Sequence, residues 1–197
     1  MAYPMEELPV IDENLLAQVR AGTESAWQDL VEQLSPQVFG IIRNQIRATT
    51  DHDDIAQEAF TKIFLKLDQF AGKQPFRHWV SRLTINTCYD WLRKRKARPL
   101  VSYSDLGENE AEILEKTLAG DQLEQKESIA SMRALLDLLI SSLKPREQII
   151  IRLLDLEEKS VEDVGELTGW GASKIKVTAM RARKKLRDLL HKLEPDH

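Results

Sequence analysis

The sequence has a single cysteine and no long apolar run, and each absence excludes a kind of protein. Cys88 alone cannot form an internal disulfide or a zinc site of several thiolates, so we predict that it is a small core residue. No apolar run approaches the roughly 18 to 20 residues that a membrane span needs. The start, MAYPMEELPVIDEN, lacks the basic and then apolar order of a signal peptide. We therefore expect a cytoplasmic protein with no direct membrane insertion.

The net charge is small, but the charges are segregated along the chain. A net charge of −4 and a pI near 5.7 argue weakly against nucleic acid as a partner. Basic residues nevertheless gather in RKRKAR, residues 93–98, and again between Ala172 and Lys192, where Asp188 is the only acid. Acids dominate residues 104–127. This pattern predicts two contacts with a polyanion, separated by an acidic connector.

Strand patterns are also lacking, because apolar residues recur at helical spacings almost throughout. We predict a first domain of three or four helices over residues 24–98, after an N-terminal extension over residues 1–23. Its first helix should span Glu24 to Arg47 and bend or break near Pro36. The next should start at Thr50 or Asp51 and bury one apolar stripe: Ile55, Ala56, Ala59, Phe60, Ile63, Phe64 and Leu67.

A third helix should begin at Pro75 and end near Lys96. Its apolar face would consist of Phe76, Trp79, Val80, Leu83, Thr87 and Trp91. A polar stripe runs beside that face at spacings of four, three and four, and consists of Arg82, Asn86, Tyr89 and Arg93.

The fold class we predict is all-α: two small helical domains joined by a flexible acidic linker, the second a helix-turn-helix domain. Residues 99–127 would form the linker, with a short helix near 111–118, and residues 128–193 the second domain. There Ser160 should cap a short helix, with Asp163 in the capping-box position and Gly169 at its end. The turn GWGAS then leads into a basic helix whose inward residues would be Ile175, Ala179, Ala182, Leu186 and Leu190.

The segment TDHDDIAQEAF, residues 50–60, leaves three interpretations open: a metal site, a solvated helix face, or a surface that holds another protein. A metal phosphohydrolase would need further histidines at matched positions beside His52, and only His78, His191 and His197 remain. This makes metal chemistry the weakest of the three.

The basic face of the last helix has two interpretations, a solvated face or a DNA contact. Lys174, Thr178, Arg181 and Lys185 share this face, with Val177 and Lys184 beside it. The preceding capped helix and tight turn favour DNA, with lysines holding phosphate and Arg181 able to reach a guanine edge.

These residues together resemble the extracytoplasmic-function sigma factors, the two-domain branch of the sigma-70 family. The resemblance lies in DHDDIAQEAFTKIFLKLDQF, FRHWVSRLTINTCYDWLRKRKAR and LKPREQIIIRLLDLEEKSVEDVGELTGWGASKIKVTAMRARKKLRDLL, in family order from Glu24 to Leu190. The sequence departs from the family at Gly165, where alanine is usual, and at Thr178, where arginine is frequent.

The resemblance implies a transcription initiation factor with no catalytic residue and no cofactor or metal. Its partners would be core RNA polymerase, through the β′ coiled coil and the β flap, promoter DNA, and an anti-sigma factor. The implied polymerase-binding residues are Asp54, Gln57, Glu58 and Thr61. The implied −10 element residues are Arg82, Asn86, Tyr89, Arg93 and Lys94, and the −35 element residues are Lys174, Lys176, Val177, Thr178, Arg181 and Lys185. The alternatives are a helix-turn-helix regulator that acts without polymerase docking and, more distantly, a metal-dependent hydrolase with a basic tail.

Overall fold

The computed structural model describes residues 10–47, 49–97 and 125–193, and within these ranges every regular element is a helix. The all-α prediction is confirmed. The predicted linker before residue 125, including its short helix, lies outside the described residues. None of the helices in the described part of the chain is long and apolar enough to cross a membrane.

Helix α1, Glu13–Arg20, lies in the segment that we assigned to the N-terminal extension, and it packs on the next helix. Asp12 begins it, since its carboxylate accepts a hydrogen bond of 3.1 Å from the backbone N–H of Asn14. Leu16 and Val19 are buried one turn apart. The apolar face of α1 thus adds to the core of the first domain.

Helix α2, Glu24–Gln45, continues through Pro36, so the predicted break is wrong. Proline removes one backbone donor, and an isolated helix would bend there. In this protein Leu34 and Val38, on either side of the proline, are both fully buried. Their packing keeps the backbone helical across Pro36.

Helices α3, His52–Lys66, and α4, Phe76–Ala97, complete the first domain, and both pack on α2 and on each other. The carbonyl of Pro75 accepts the N–H groups of His78 and Trp79, so this proline stands just before α4. Phe76, Val80 and Thr87 of α4 are buried as predicted, but the buried surface of the helix also includes residues outside the predicted face. Ile85 and Cys88 are buried, whereas Trp79, Leu83 and Trp91 are only partly covered, because α4 is enclosed from more than one side.

The described part of the second domain, residues 125–193, contains four helices: α5, Gln125–Ser142; α6, Pro145–Ile151; α7, Val161–Thr168; and α8, Ala172–Leu193. Helix α6 continues into a π-helical turn, Arg152–Leu156. Ser160 and Asp163 form the predicted capping box, and Gly169 ends α7 with a φ of 74°, a left-handed conformation that suits glycine. On α8, Ile175, Ala179 and Ala182 are buried as predicted.

Leu186 of α8 packs against the smaller cluster of Ile140, Leu143, Ile151 and Ala182. Leu190, which we predicted to face inward, is 45% exposed, because α8 continues beyond the helices that it packs on.

One apolar cluster extends through both domains. Ile85 and Cys88 of α4 belong to the same cluster as Leu153, Val164 and Leu167 of the second domain. Helix α4 contacts both α6 and α7. The two domains therefore pack directly on each other, and α4 lies at their junction.

Candidate docking and nucleic-acid surfaces

Three of the four predicted docking residues, Asp54, Gln57 and Thr61, are exposed on α3. Glu58 is half-buried and forms ion pairs with Lys62 at 2.9 Å and Lys94 at 3.5 Å. The hydrogen bond from Lys62 is the main reason that the pKa of Glu58 lies below its ordinary value, although partial burial opposes this. The charge of Glu58 is thus balanced within its own domain, whereas Asp54 is available to a partner.

A largely apolar groove of ≈ 630 Å³ lies between α2 and α3, beside these polar residues. Phe64 is 50% exposed and Leu65 is 70% exposed. The ring of Phe64 meets Trp27 edge to face, with centroids 5.0 Å apart. The prediction that Phe64 faces the core was wrong, because Ile63 already fills the interior at that turn. Two apolar residues in succession after Ile63 were the available signal that α3 has a second apolar face.

His52 has a structural contact at the start of α3. Its Nε2 atom lies 2.8 Å from the backbone carbonyl oxygen of Ile46, which ties α3 to the end of α2. Among the described residues, no group of three or more histidine, cysteine, aspartate or glutamate side chains could hold a metal ion.

The predicted stripe on α4 lies at the junction of the two domains. Arg82, Arg93 and Lys94 are exposed, and Asn86 and Tyr89 are half-buried. Lys94 pairs with Glu58, so the stripe adjoins the predicted docking residues of α3. Arg93 lies over the ring of Tyr89, 5.7 Å from its centroid. The structure thus places all five residues on one helix, with Tyr89 in the middle of a cationic surface.

Residues of the second domain contact this stripe. The ring of Tyr89 meets Trp170 edge to face, with centroids 5.3 Å apart, and its hydroxyl accepts a hydrogen bond of 3.3 Å from Arg146. The guanidinium of Arg146 lies 4.9 Å from the centroid of Trp170. The guanidinium of Arg82 lies against Gly169, where the Cβ of any larger residue would collide with it. Sequence patterns gave no sign of these contacts, because the residues are far apart in the chain.

Most of the predicted −35 residues are exposed to solvent on α8. Lys174, Lys176, Val177 and Arg181 are exposed, and Thr178 is half-buried. Local signals position this helix: the capping box of α7, the turn at Gly169, and the three inward residues of α8. The arrangement presents a basic helix on one side of a helix-turn-helix unit, which can enter a major groove.

Lys185 differs from the rest of its set, because its ammonium group lies 2.6 Å from Glu147, whose side chain is 8% exposed. Burial disfavours the ionised form of Glu147, but the hydrogen bonds from Lys185 and from the backbone N–H of Lys144 outweigh it and hold the pKa below its ordinary value. Arg183 is similarly paired with Asp155 at 2.5 Å. Lys185 therefore has a structural role in attaching α8 to α6.

Comparisons with known proteins match two separate segments of the chain. The family model of sigma-70 region 2 matches residues 30–98, and the model of sigma-70 region 4 matches residues 133–186. The chain is 29% identical over 164 residues to the RNA polymerase sigma factor YlaC of Bacillus subtilis, covering 81% of this chain and 91% of that protein. It is 27% identical over 175 residues to the ECF RNA polymerase sigma-E factor of Escherichia coli, covering 87% and 90%.

The chain belongs to the extracytoplasmic-function branch of the sigma-70 family. It is therefore an RNA polymerase sigma factor. A solved structure of CnrH in complex with the cytosolic domain of CnrY has the same fold as this sigma factor, with a TM-score of 0.53 and 22% identity. The match covers 92% of this chain and 97% of that one.

Proposed function

We propose that this sigma factor docks on core RNA polymerase through α3, recognises the −35 element through α8, and captures an unstacked base of the −10 element on the α4 stripe. It would act in the cytoplasm and supply recognition and strand opening, while the polymerase performs the chemistry. The main support is that one chain presents two separate basic helix faces, on α4 and α8, together with an exposed docking face. A regulator that only binds duplex DNA has no use for the second basic face.

The docking surface would combine charge with apolar contact. Asp54 can meet a basic group on a helical partner, while Phe64 and Leu65 can bury apolar surface in the adjacent groove. Exposed large apolar side chains beside polar ones are typical of protein interfaces. The groove and the acidic residues would thus form one site.

Asp54→Lys combined with Phe64→Ala tests the docking site. Both side chains are exposed, and no cation in the described part of the domain depends on Asp54 for its balance. Reversing the charge and removing the ring should weaken binding of core polymerase by at least about tenfold, since misplaced like charges cost several kcal/mol. Asp68→Lys is the matched control, because Asp68 is an exposed acid that does not line the groove. Unchanged affinity of the double variant, with a normal circular dichroism spectrum, would place the docking site elsewhere.

The same site offers a surface to an anti-sigma factor, which we propose as a further partner. CnrH has been solved with the cytosolic domain of another protein, and occupation of the α3 groove by such a domain would exclude polymerase. Competition between the two partners for wild-type protein, and for the Asp54 and Phe64 double variant, would measure whether they share the groove.

Asn86→Ala tests the proposed role of α4 in opening the promoter. Flipping or unstacking a base costs a few kcal/mol, and a template with a pre-opened bubble has already met that cost. The variant, reconstituted with core polymerase, should transcribe a fully paired promoter poorly and recover much of its activity on the bubble template. Asn44→Ala is the control, since it is the same substitution of another half-buried asparagine, on α2. Equal transcription of the paired template by wild type and Asn86→Ala would remove the stripe from the mechanism.

A further inference from the structure

The contacts of Tyr89 and Arg82 raise a conflict with their proposed role. Trp170 and Arg146 lie against the ring and hydroxyl of Tyr89, and the turn at Gly169 lies against the guanidinium of Arg82. Both contacts come from the second domain. A nucleic-acid strand on the stripe would need the same atoms.

The occupying groups resemble the ligand chemically. The indole of Trp170 meets the ring of Tyr89 edge to face and takes up space beside that ring where an unstacked base would bind. The guanidinium of Arg146 fills the polar side of the tyrosine. No nucleotide can reach the Tyr89 hydroxyl at this position without displacing Arg146.

Apolar and hydrogen-bond contacts between the two domains surround this site. Ile85, Leu153 and Leu167 share one apolar cluster across the junction. Gln45 donates a hydrogen bond of 2.7 Å to Glu157, and Lys96 donates one of 3.1 Å to the carbonyl of Leu143.

Asp137 adds a charged contact at the edge of the junction. Its carboxylate lies 3.1 Å from Arg47 of the first domain and 3.0 Å from Arg152 of the second. One carboxylate thus joins cations from both domains.

The other two surfaces remain open in the same arrangement. Asp54 and Phe64 on α3 are exposed, and so are Lys174 and Arg181 on α8. Within the proposed −10 surface the closed packing therefore occupies the ring and hydroxyl of Tyr89 and one side of the Arg82 guanidinium, whereas the docking and −35 surfaces carry no such contact in the described part of the chain.

We infer that this closed arrangement is autoinhibitory: Trp170 and Arg146 act as an internal latch that occupies the −10 stripe until the domains separate. The inference rests on the proposed function of that stripe. Polymerase can release the latch only if it binds the open form more tightly than the closed one. The free protein would then present surfaces for docking before it can capture single-stranded DNA.

The test uses the full-length free protein and two measurements. The first is the distance between the domains, followed by energy transfer between dyes on cysteines placed at Asp68 and Lys184, both exposed. Cys88 is replaced by alanine in every protein compared, because it belongs to the apolar cluster at the junction and loses cover when the domains separate. The second is binding of a fluorescein-labelled, random-sequence single-stranded DNA.

Trp170→Ala should lower energy transfer and increase affinity for the single-stranded probe. If the closed form holds about nine-tenths of the population, opening improves the apparent affinity about tenfold. Adding Asn86→Ala should remove this gain, which separates the stripe from general binding to the basic face of α8.

A second variant opens the domains by a different route, in case Trp170→Ala disturbs the helix-turn-helix unit. Arg47→Glu places a negative charge against Asp137 at the edge of the junction and touches neither Trp170 nor the stripe. Arg43→Glu is its matched control, because Arg43 is exposed on the same helix and has no ion pair with the described residues. Arg47→Glu should open the domains and Arg43→Glu should not.

The outcomes separate the latch from the proposed function. An open wild-type protein or no opening in either variant would overturn the latch, and so would a closed wild-type protein whose affinity for the probe falls as much on Asn86→Ala as that of Trp170→Ala does. If a variant opens but Asn86→Ala changes binding in neither the closed nor the opened protein, the stripe has no −10 role, and the function that the latch controls is removed with it.

Discussion

On α8, Lys174 and Arg181 are exposed to solvent, whereas on α4, Tyr89 and Arg82 lie against the second domain. Both faces combine cations with groups that can contact bases. On the function and the latch that we propose, they differ in what must happen before DNA can bind: the α8 face would need no rearrangement, whereas the α4 stripe would need the domains to separate. Similar residue chemistry would then give one surface ready for duplex DNA and one that is available only in the open form.

Of the substitutions that test this comparison, Arg181→Ala is expected to have the largest effect on DNA binding. If Arg181 makes a bidentate contact with a base, Arg181→Ala should cost about 1–3 kcal/mol of promoter affinity and reduce discrimination between bases. Lys174→Ala should weaken binding to all sequences similarly and lower the salt dependence, as expected for a phosphate contact. Fluorescence anisotropy with promoter and random duplexes measures both. A uniform loss in both variants would mean that Arg181 does not read a base.

Lys185 should behave differently from its neighbours on α8. Lys185→Ala removes the partner of buried Glu147 and should destabilise the second domain by about 1–2 kcal/mol, measured by urea unfolding. Lys184→Ala, at an exposed neighbour, is the control. If Lys185→Ala were to lower DNA affinity without changing stability, Lys185 would belong with the DNA-binding residues after all.

Glu157 links the closed packing to pH. Its burial raises the pKa of its carboxyl, although Lys159 and the hydrogen bond from Gln45 act in the opposite direction. Because the closed form favours the protonated acid, its stability is greatest below the ordinary glutamate pKa and falls as the pH rises through the raised value. We expect the interdomain distance to increase with pH over this interval.

Glu157→Gln should remove that pH dependence and stabilise the closed form by about 1 kcal/mol at pH 7, since a neutral amide avoids the cost of burying a charge. It could also donate to Gln45 Oε1, which is buried without a hydrogen-bond partner among the described residues. Carboxylates with a lowered pKa, such as Glu147 and Asp163, also make stability depend on pH. Because they are present in both proteins, their contribution cancels when Glu157→Gln is compared with wild type. The same pH dependence in both proteins would assign it to another group.

The smallest effect is expected at Gly165, in the middle of α7. A Cβ there would meet the backbone oxygen of Trp170 at 3.4 Å and Ile175 at 3.8 Å, both ordinary contacts. Gly165→Ala should therefore stabilise the second domain by about 0.5–1 kcal/mol through the backbone entropy of the unfolded chain. Gly169→Ala should do the opposite, because residue 169 has a positive φ and faces Arg82. Thermal unfolding of the two variants would test this contrast directly.

Local signals in the sequence were sufficient for α3, α4 and the helix-turn-helix unit, but not for α1 or for the continuity of α2. Ser160, Asp163 and Gly169 act within a few residues of each other, so their pattern predicts the start and end of α7. Pro36 was misinterpreted because its effect depends on the burial of Leu34 and Val38 against other helices. Tertiary packing overrode a local preference at that position.

The surfaces were harder to predict, because a helical wheel shows which residues share a face but not what covers that face. The wheel grouped Arg82 and Tyr89 correctly, yet it could not indicate that Trp170 and Gly169 lie against them. The helical wheel also grouped Lys185 with Arg181. Of these two residues, only Lys185 forms an ion pair with Glu147, which lies on another helix. Contacts between distant parts of a chain leave no periodic trace in either part.

The single apolar cluster that joins the domains has a consequence for synthesis. Ile85 and Cys88 leave the ribosome well before Val164 and Leu167, which belong to the same apolar cluster in the folded chain. At about 5–20 residues per second, the interval is on the order of 10 s. During that time the first domain has its helices but lacks part of its cover, so the nascent chain presents an apolar surface on α4 that chaperones can bind.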